Sequence, residues 1–261
     1  MSTTASIIYE EHGTLAHVRL NRAPKRNALT SEMLERLAEI FGSLNERREH
    51  LRAVILSGEG SAFCAGTDIE ELTGLDTEGA TAAARRGQMV CDLIENCVVP
   101  VIAATNGIAA GGGCELAFSC HLRVCNTNAA FSLPETKLGL IPAYGGTQRL
   151  ARITGSGRAL ELMLANARLT AEEALSCGLV NRVVEPAQLL AEAEALAREI
   201  ASLAPLAIRA CLEAVTRGQS LTLEEGLKLE AQLFSRLFST ADMREGTRAF
   251  LEKRPPVFQG K

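Results

Sequence analysis

Gly111-Gly112-Gly113-Cys114-Glu115, followed twenty residues after that glutamate by Pro134-Glu135, decides how this 261-residue chain folds and what it can do. Successive glycines let the backbone approach a ligand closely, and the apolar residues that follow make the glycine turn the start of a helix. A helix N-terminus offers unpaired N–H groups with partial positive charge, which suits a developing oxyanion. Two carboxylates brought near such a turn can divide proton removal and proton delivery between them. The stretch predicts an anion-stabilising acid/base site.

Outward from that turn, residues 100–105 have the composition of a buried strand, residues 85–97 that of a helix before it, and residues 122–125 that of a further strand. An earlier unit repeats the pattern. Residues 6–10 and 15–20 flank a turn at His12-Gly13. A helix starting near Ser31 places Met33, Leu34, Leu37, Ile40, Phe41 and Leu44 on one face and Glu32, Glu35, Arg36 and Glu39 on the other. Residues 52–57 form a short buried strand running into the loop 58–68. Repeated strand, loop and helix units with buried strands predict an α/β core.

After Gly145 the chain turns mostly helical. Thr170-Ala171-Glu172-Glu173 and Thr222-Leu223-Glu224-Glu225 are capping boxes that mark two helix starts. Alanine- and leucine-rich helices follow from about Pro186, with breaks near Pro205, Gly218 and Thr240. Leu223, Leu227, Leu229, Leu233, Phe234, Leu237 and Phe238 exceed what one buried stripe needs, which predicts packing on more than one surface. With no low-complexity linker, the expected division is a catalytic core over 1–195 and a helical appendage over 196–261.

Composition narrows the function. At 47% hydrophobic and 22% charged residues, with no apolar run near the roughly 20 residues of a membrane helix, the chain is expected to be globular and not membrane-spanning. Its start, Met1-Ser2-Thr3-Thr4-Ala5, lacks a basic stretch and apolar core, so a cytoplasmic address is expected. Net charge −4 is not that of a dedicated nucleic-acid binder. The eight cysteines form no CxxC pair, which predicts reduced, mostly buried thiols and no metal site. Gly58-Glu59-Gly60-Ser61-Ala62-Phe63 has a phenylalanine at the third glycine position of a dinucleotide loop, so a Rossmann reading is disfavoured.

Taken together, Leu20-Asn21-Arg22-Ala23-Pro24-Lys25-Arg26-Asn27-Ala28-Leu29, Ser61-Ala62-Phe63-Cys64-Ala65-Gly66-Thr67-Asp68-Ile69, Pro100-Val101-Ile102-Ala103-Ala104-Thr105-Asn106-Gly107, the glycine turn, Pro134-Glu135, Gly139-Leu140-Ile141-Pro142 and Gly145-Gly146-Thr147-Gln148-Arg149-Leu150 resemble the enoyl-CoA hydratase/isomerase, or crotonase, superfamily. The resemblance covers nearly the whole chain. It implies an α/β, crotonase-like spiral of ββα units, a C-terminal helical trimerisation region, and a homo-hexamer (dimer of trimers) or homotrimer. It also implies an acyl-CoA substrate, the chemistry of fatty-acid β-oxidation, and no cofactor beyond the coenzyme A carried by the substrate.

For the site, the resemblance implies an oxyanion hole made by the backbone N–H groups of Thr67 and Gly112, with Glu115 activating water and Glu135 exchanging a proton at Cα. Substrate and coenzyme contacts are implied at Lys25, Arg26, Ala28, Ala65, Asp68, Ile69, Phe250 and Lys253. Retention of both glutamates favours 2-enoyl-CoA hydratase. The alternatives are a Δ3,Δ2-enoyl-CoA isomerase, a specialised branched-chain (methylglutaconyl-type) hydratase, or an RNA-binding relative, which the acidic face of the helix after Thr30 disfavours. This chain departs from the family pattern at Ala143-Tyr144, at Glu70 where some hydratases carry lysine, and at His121, for which a structural place at a helix end is expected.

Overall fold

The computed structural model describes residues 5–46 and 50–261; most of the N-terminal stretch used to expect a cytoplasmic address, residues 1–4, lies outside them. In chain order the elements are β1 (Ile7–His12), β2 (Leu15–Leu20), α1 (Ser31–Glu46), β3 (Ala53–Gly58), β4 (Ala62–Cys64), α2 (Ile69–Leu72), α3 (Thr77–Glu95), β5 (Val101–Thr105), β6 (Ile108–Ala110) and α4 (Gly112–Ser119). There follow β7 (Leu122–Asn126), β8 (Ala130–Ser132), α5 (Gly146–Thr154), α6 (Ser156–Leu164), β9 (Arg168–Thr170), α7 (Ala171–Ser176), β10 (Arg182–Val184), α8 (Leu189–Ala201), α9 (Pro205–Gly218), α10 (Leu223–Leu237) and α11 (Ala241–Glu252).

Two sheets share these strands. The larger runs β1-β2-β3-β5-β7-β10 and the smaller β4-β6-β8-β9. Among the described residues, only the β1–β2 hairpin and the β8–β9 pair are antiparallel. Each of β3-β4, β5-β6 and β7-β8 therefore lays its first strand in the large sheet and its second in the small one, parallel to the strands of the turn before. With a helix closing a turn, this is the expected spiral of ββα units.

Successive turns stack closely because the corners lack side chains. Gly107, at φ +155, joins β5 to β6, and a Cβ there would stand 2.2 Å from the Ser61 carbonyl oxygen of the preceding turn. Any other residue would push the turns apart.

The central strands of the large sheet, β3, β5 and β7, are buried on both faces, as their near-continuous apolar runs require. Val54 and Leu56 of β3 face the main core with Met33, Leu37 and Phe41 of α1; Ala53 and Ile55 face a second cluster with Leu189, Ala193, Leu196 and Ala197 of α8. Helix α8 is thus part of the core's cover, and the boundary expected at 195/196 falls inside it.

Helix α3 begins at Thr77, eight residues before the expected start, because Asp76 caps it: its Oδ1 accepts from the Gly79 N–H at 2.8 Å. Both capping boxes form as expected, and α9 and α11 start at Pro205 and after Thr240. The three-residue strands β4, β6, β8, β9 and β10 were not expected individually. They are too short to show an alternating pattern, and pairing alone defines them.

Candidate active site

The site forms where loop 65–68, the start of α4 and the turn before α5 meet. Residues 26–29 hold that loop from one side: the Ala65 N–H donates to Arg26 O at 2.9 Å, Leu29 N–H to Gly66 O at 2.8 Å, and Asp68 N–H to Leu29 O at 2.8 Å. Leu29 and Thr67 are thereby paired as a parallel bridge. In such a bridge the residue opposite the bonded one turns its own amide away, so the Thr67 N–H points to the far side of the loop. It has no acceptor among the described residues.

Gly112 opens α4, so its N–H is one of the donors that a helix leaves unpaired. The preceding amide, Gly111 N–H, is taken by Ser132 O at 3.0 Å. A Cβ on Gly66 would lie 3.7 Å from Gly112 N, and one on Gly112 would lie 3.1 Å from Thr67 Oγ1. The two unpartnered amides are neighbours.

Glu115 sits one turn into α4 and is 2% exposed. Its Oε1 accepts from the Tyr144 N–H at 2.8 Å and from the Gly146 N–H at 2.6 Å. Burial pushes its carboxyl up to about 7; the Gly146 and Tyr144 amides oppose the rise, and the charge of Glu135 adds to it. Burial also raises Glu135, whose Oε2 is buried with no hydrogen-bond partner among the described residues.

Arg149 holds the turn from behind. Its guanidinium donates to Tyr144 O at 3.0 Å, to Glu95 at 2.7 and 3.0 Å, and to Asp92 at 2.6 Å. The carbonyl of Tyr144 is therefore fixed to α3 while its amide is fixed to α4.

Glu115, Glu135, Thr67, Gly111, Gly112 and Tyr144 line one cavity of about 300 Å³. The rest of its wall is apolar: Ile69, Leu72 and Leu75, the small residues Ala80, Ala83 and Ala84 of α3, and Leu138, Leu140 and Ile141. Several of these large side chains are exposed, Ile141 at 68% and Leu138 at 55%. An exposed apolar wall running up to two carboxylates fits a ligand with a hydrocarbon part and a reactive polar centre. A second cavity of about 350 Å³, between residues 118–123 and α9, contains neither glutamate nor either amide.

The other expected contact residues divide. Ala65 and Ile69 line the cavity. Asp68 caps α2 through the Glu70 N–H and pairs with Arg22 at 2.6 Å, so its carboxylate, held below its usual range chiefly by the Arg22 hydrogen bond, is committed to the fold. Lys25 pairs with exposed Glu70 at 3.3 Å. Arg26 and Ala28 contribute backbone bonds to the segment that carries loop 65–68. Phe250 and Lys253 lie at the exposed end of α11 and are not among the residues lining the cavity. His121 takes the structural place expected: its Nδ1 accepts from the Val101 N–H at 2.9 Å and its Nε2 lies 3.0 Å from Glu95 O.

Tyr144, Gly146 and Arg149 were not expected as site residues. The sequence marked Ala143-Tyr144 as unusual and 145–150 as a motif, but a backbone amide that grips a carboxylate leaves no signature in residue type.

The fold is of the crotonase type, and comparison with known proteins agrees. The enoyl-CoA hydratase/isomerase profile matches residues 10–261. The chain is 41% identical over 250 residues to a short-chain-enoyl-CoA hydratase of Clostridium acetobutylicum, covering 95% of each chain. It is 39% identical over 257 residues to a crotonyl-CoA hydratase of Syntrophomonas wolfei, covering 98% of each. The crystal structure of an enoyl-CoA hydratase from Bacillus anthracis superposes with a TM-score of 0.94 at 39% identity, covering 98% of this chain and all of that one. The chain belongs to the enoyl-CoA hydratase/isomerase family.

Proposed function

We propose that the protein is a 2-enoyl-CoA hydratase that adds water syn across the 2,3 double bond to give a 3-hydroxyacyl-CoA, and catalyses the reverse reaction. The observation that carries this is the pair Glu115 and Glu135 on one cavity wall beside the unpartnered amides of Thr67 and Gly112. The names of the relatives at about 40% identity support the same activity.

In this reading the thioester carbonyl oxygen accepts from both amides. Water, held against Glu115, forms its C–O bond at C3 while the π electrons move into the enolate; Glu115 takes the proton that water loses. The enolate collapses as C2 takes a proton from Glu135, and the pair re-equilibrates its single proton. In this reading the Tyr144 and Gly146 amides hold Glu115 against the water in its ionised form, and burial, which raises Glu135, leaves that carboxyl able to deliver a proton. Isomerisation needs only one base to shuttle a proton, so retention of two favours hydration.

The same proposal includes a cytoplasmic enzyme assembled as a homotrimer or hexamer. Among the described residues no helix is long and apolar enough to cross a membrane. Leu223 and Phe234 of α10, Phe238 just past its end and Phe250 of α11 are all more than half exposed, which supports burial of these helices between subunits. The helical region is best begun after α8, at residue 202, since α8 covers the sheet. Coenzyme contacts at Lys25, Arg26, Phe250 and Lys253 belong to this assembly, with the last two suited to a neighbouring subunit's site.

Loss of the conjugated enoyl-thioester absorbance of crotonyl-CoA tests the function. The wild type is expected to hydrate it, and Glu115→Gln and Glu135→Gln each to fall by about 10²- to 10⁴-fold. A folded wild type that leaves crotonyl-CoA untouched would refute short-chain hydration.

A further inference from the structure

Tyr144 bonds to three separate parts of the site. Its backbone N–H donates to Glu115 Oε1 at 2.8 Å, its carbonyl accepts from Arg149 at 3.0 Å, and its phenolic oxygen accepts from the Thr67 hydroxyl at 3.0 Å. The ring itself has little room. A Cβ on Gly87 of α3 would stand 2.0 Å from a ring carbon, and one on Gly112 would stand 3.0 Å from another. Tyr144 is 5% exposed and clamped between α3 and the first turn of α4.

Loop 65–68 needs such a holder. Apart from the local turn in which the Glu71 N–H donates to Asp68 O at 3.1 Å, the loop's backbone bonds all run to residues 26–29, on one side, and Gly66, at φ +107, adds no side chain to pack the loop in place. The Thr67 amide points to the other side, where the Tyr144 hydroxyl supplies the opposing bond.

We propose that Tyr144 is a positioning residue that sets the Thr67 amide and the Glu115 carboxylate in register with each other: its side chain fixes the loop that carries one and its backbone fixes the other. The proposal rests on the assignment of these two groups to the thioester oxygen and to water. Tyr144 touches no reacting atom in this role. Losing the hydroxyl contact lets the amide drift from where charge develops, which weakens enolate stabilisation more than ground-state binding.

The test compares wild type with Tyr144→Phe, Thr67→Val, the double variant and Thr67→Ser. Two readouts are taken: kcat and KM for crotonyl-CoA, and the pH at which bound acetoacetyl-CoA, a 3-ketoacyl thioester, develops its near-ultraviolet enolate absorbance. The second reports oxyanion stabilisation without any hydration step. Tyr144→Phe and Thr67→Val are each expected to lower kcat by about 2- to 12-fold, the range of one neutral hydrogen bond, with KM changed less, and to shift enolate formation to higher pH. The double variant should be no worse than the poorer single, and Thr67→Ser should restore both readouts. Single variants equal to wild type, or effects that multiply in the double variant, overturn the positioning role. A wild type that neither hydrates crotonyl-CoA nor enolises acetoacetyl-CoA overturns instead the assignment on which it rests.

Discussion

The Gly146 amide donates to Glu115 Oε1 at 2.6 Å, and a Cβ at position 146 would stand 2.8 Å from that same oxygen. The residue that supplies the hydrogen bond is therefore one that cannot carry a side chain without displacing the carboxyl it holds. The turn 144–146 acts on the carboxylate twice: two N–H groups hold one oxygen in place, and both temper the rise in proton affinity that burial imposes.

Gly146→Ala is accordingly expected to displace the Glu115 carboxyl, since the added carbon also meets Glu115 Cγ at 2.9 Å and Pro142 Cβ at 3.1 Å. A misplacement of about 1 Å costs about 10²-fold in rate. Crotonyl-CoA hydration should fall by that order while circular dichroism remains that of the wild type. Full activity in the alanine variant would mean that the grip is dispensable.

Glu115 also links stability to pH. A carboxyl whose pKa is raised from 4.5 to about 7 binds its proton more tightly in the folded state, so its contribution falls as pH rises between those values and is level above and below. The span corresponds to at most about 3 kcal/mol at 1.36 kcal/mol per unit. Glu115→Gln, which keeps an acceptor for the two amides and never ionises, should be more stable than wild type at pH 8, with the advantage vanishing towards pH 4.5. Urea titrations at the two pH values check this; an advantage that grows on acidification contradicts it. The same ionisation in the free enzyme should give kcat/KM an apparent pKa near 7.

Much of this was legible in the sequence because it depends on residue type. The apolar runs of β3 and β5 announced strands buried on both faces, the two threonine capping boxes announced α7 and α10, and three glycines announced a helix start with a free amide. Glu115 and Glu135 reach one cavity as the motifs implied. What sequence could not give depends on tertiary approach. The start of α3 was missed because a lone Asp76 is a weak cap signal ahead of an alanine-rich turn. The commitment of Asp68 to Arg22, 46 residues away, follows from folding and not from either residue's neighbours. The grip of the Tyr144 and Gly146 amides on Glu115 was invisible because backbone donors are common to almost every residue.

The Gly112 amide can be isolated by a pair of substitutions. Gly112→Ala and Gly112→Pro both place a Cβ 3.0 Å from the Tyr144 ring, but only proline removes the N–H. Proline suits the first position of a helix, so α4 should still form. The proline variant is expected to lose about 10²- to 10³-fold in kcat relative to the alanine variant, the typical weight of one oxyanion donor. Equal rates in the two variants, both folded, would leave the amide without a role in catalysis.

His121 supplies the opposite pH signature and no chemistry. Burial lowers its pKa to about 4, and its Nδ1 accepts from the Val101 N–H, a bond that only the unprotonated nitrogen can make. A histidine whose folded pKa lies below its unfolded value of about 6.5 favours the folded state above that pH, and the benefit is lost as pH falls from about 6.5 towards 4. His121→Leu leaves the Val101 N–H and the Glu95 carbonyl unmatched, at about 1–3 kcal/mol for each buried group. Its melting temperature at pH 8 should drop by several degrees, its stability should decline less between pH 6.5 and 4 than that of the wild type, and kcat at 25 °C should stay within about twofold. A variant that keeps its melting temperature but loses kcat would give His121 a catalytic part that its two backbone bonds do not suggest.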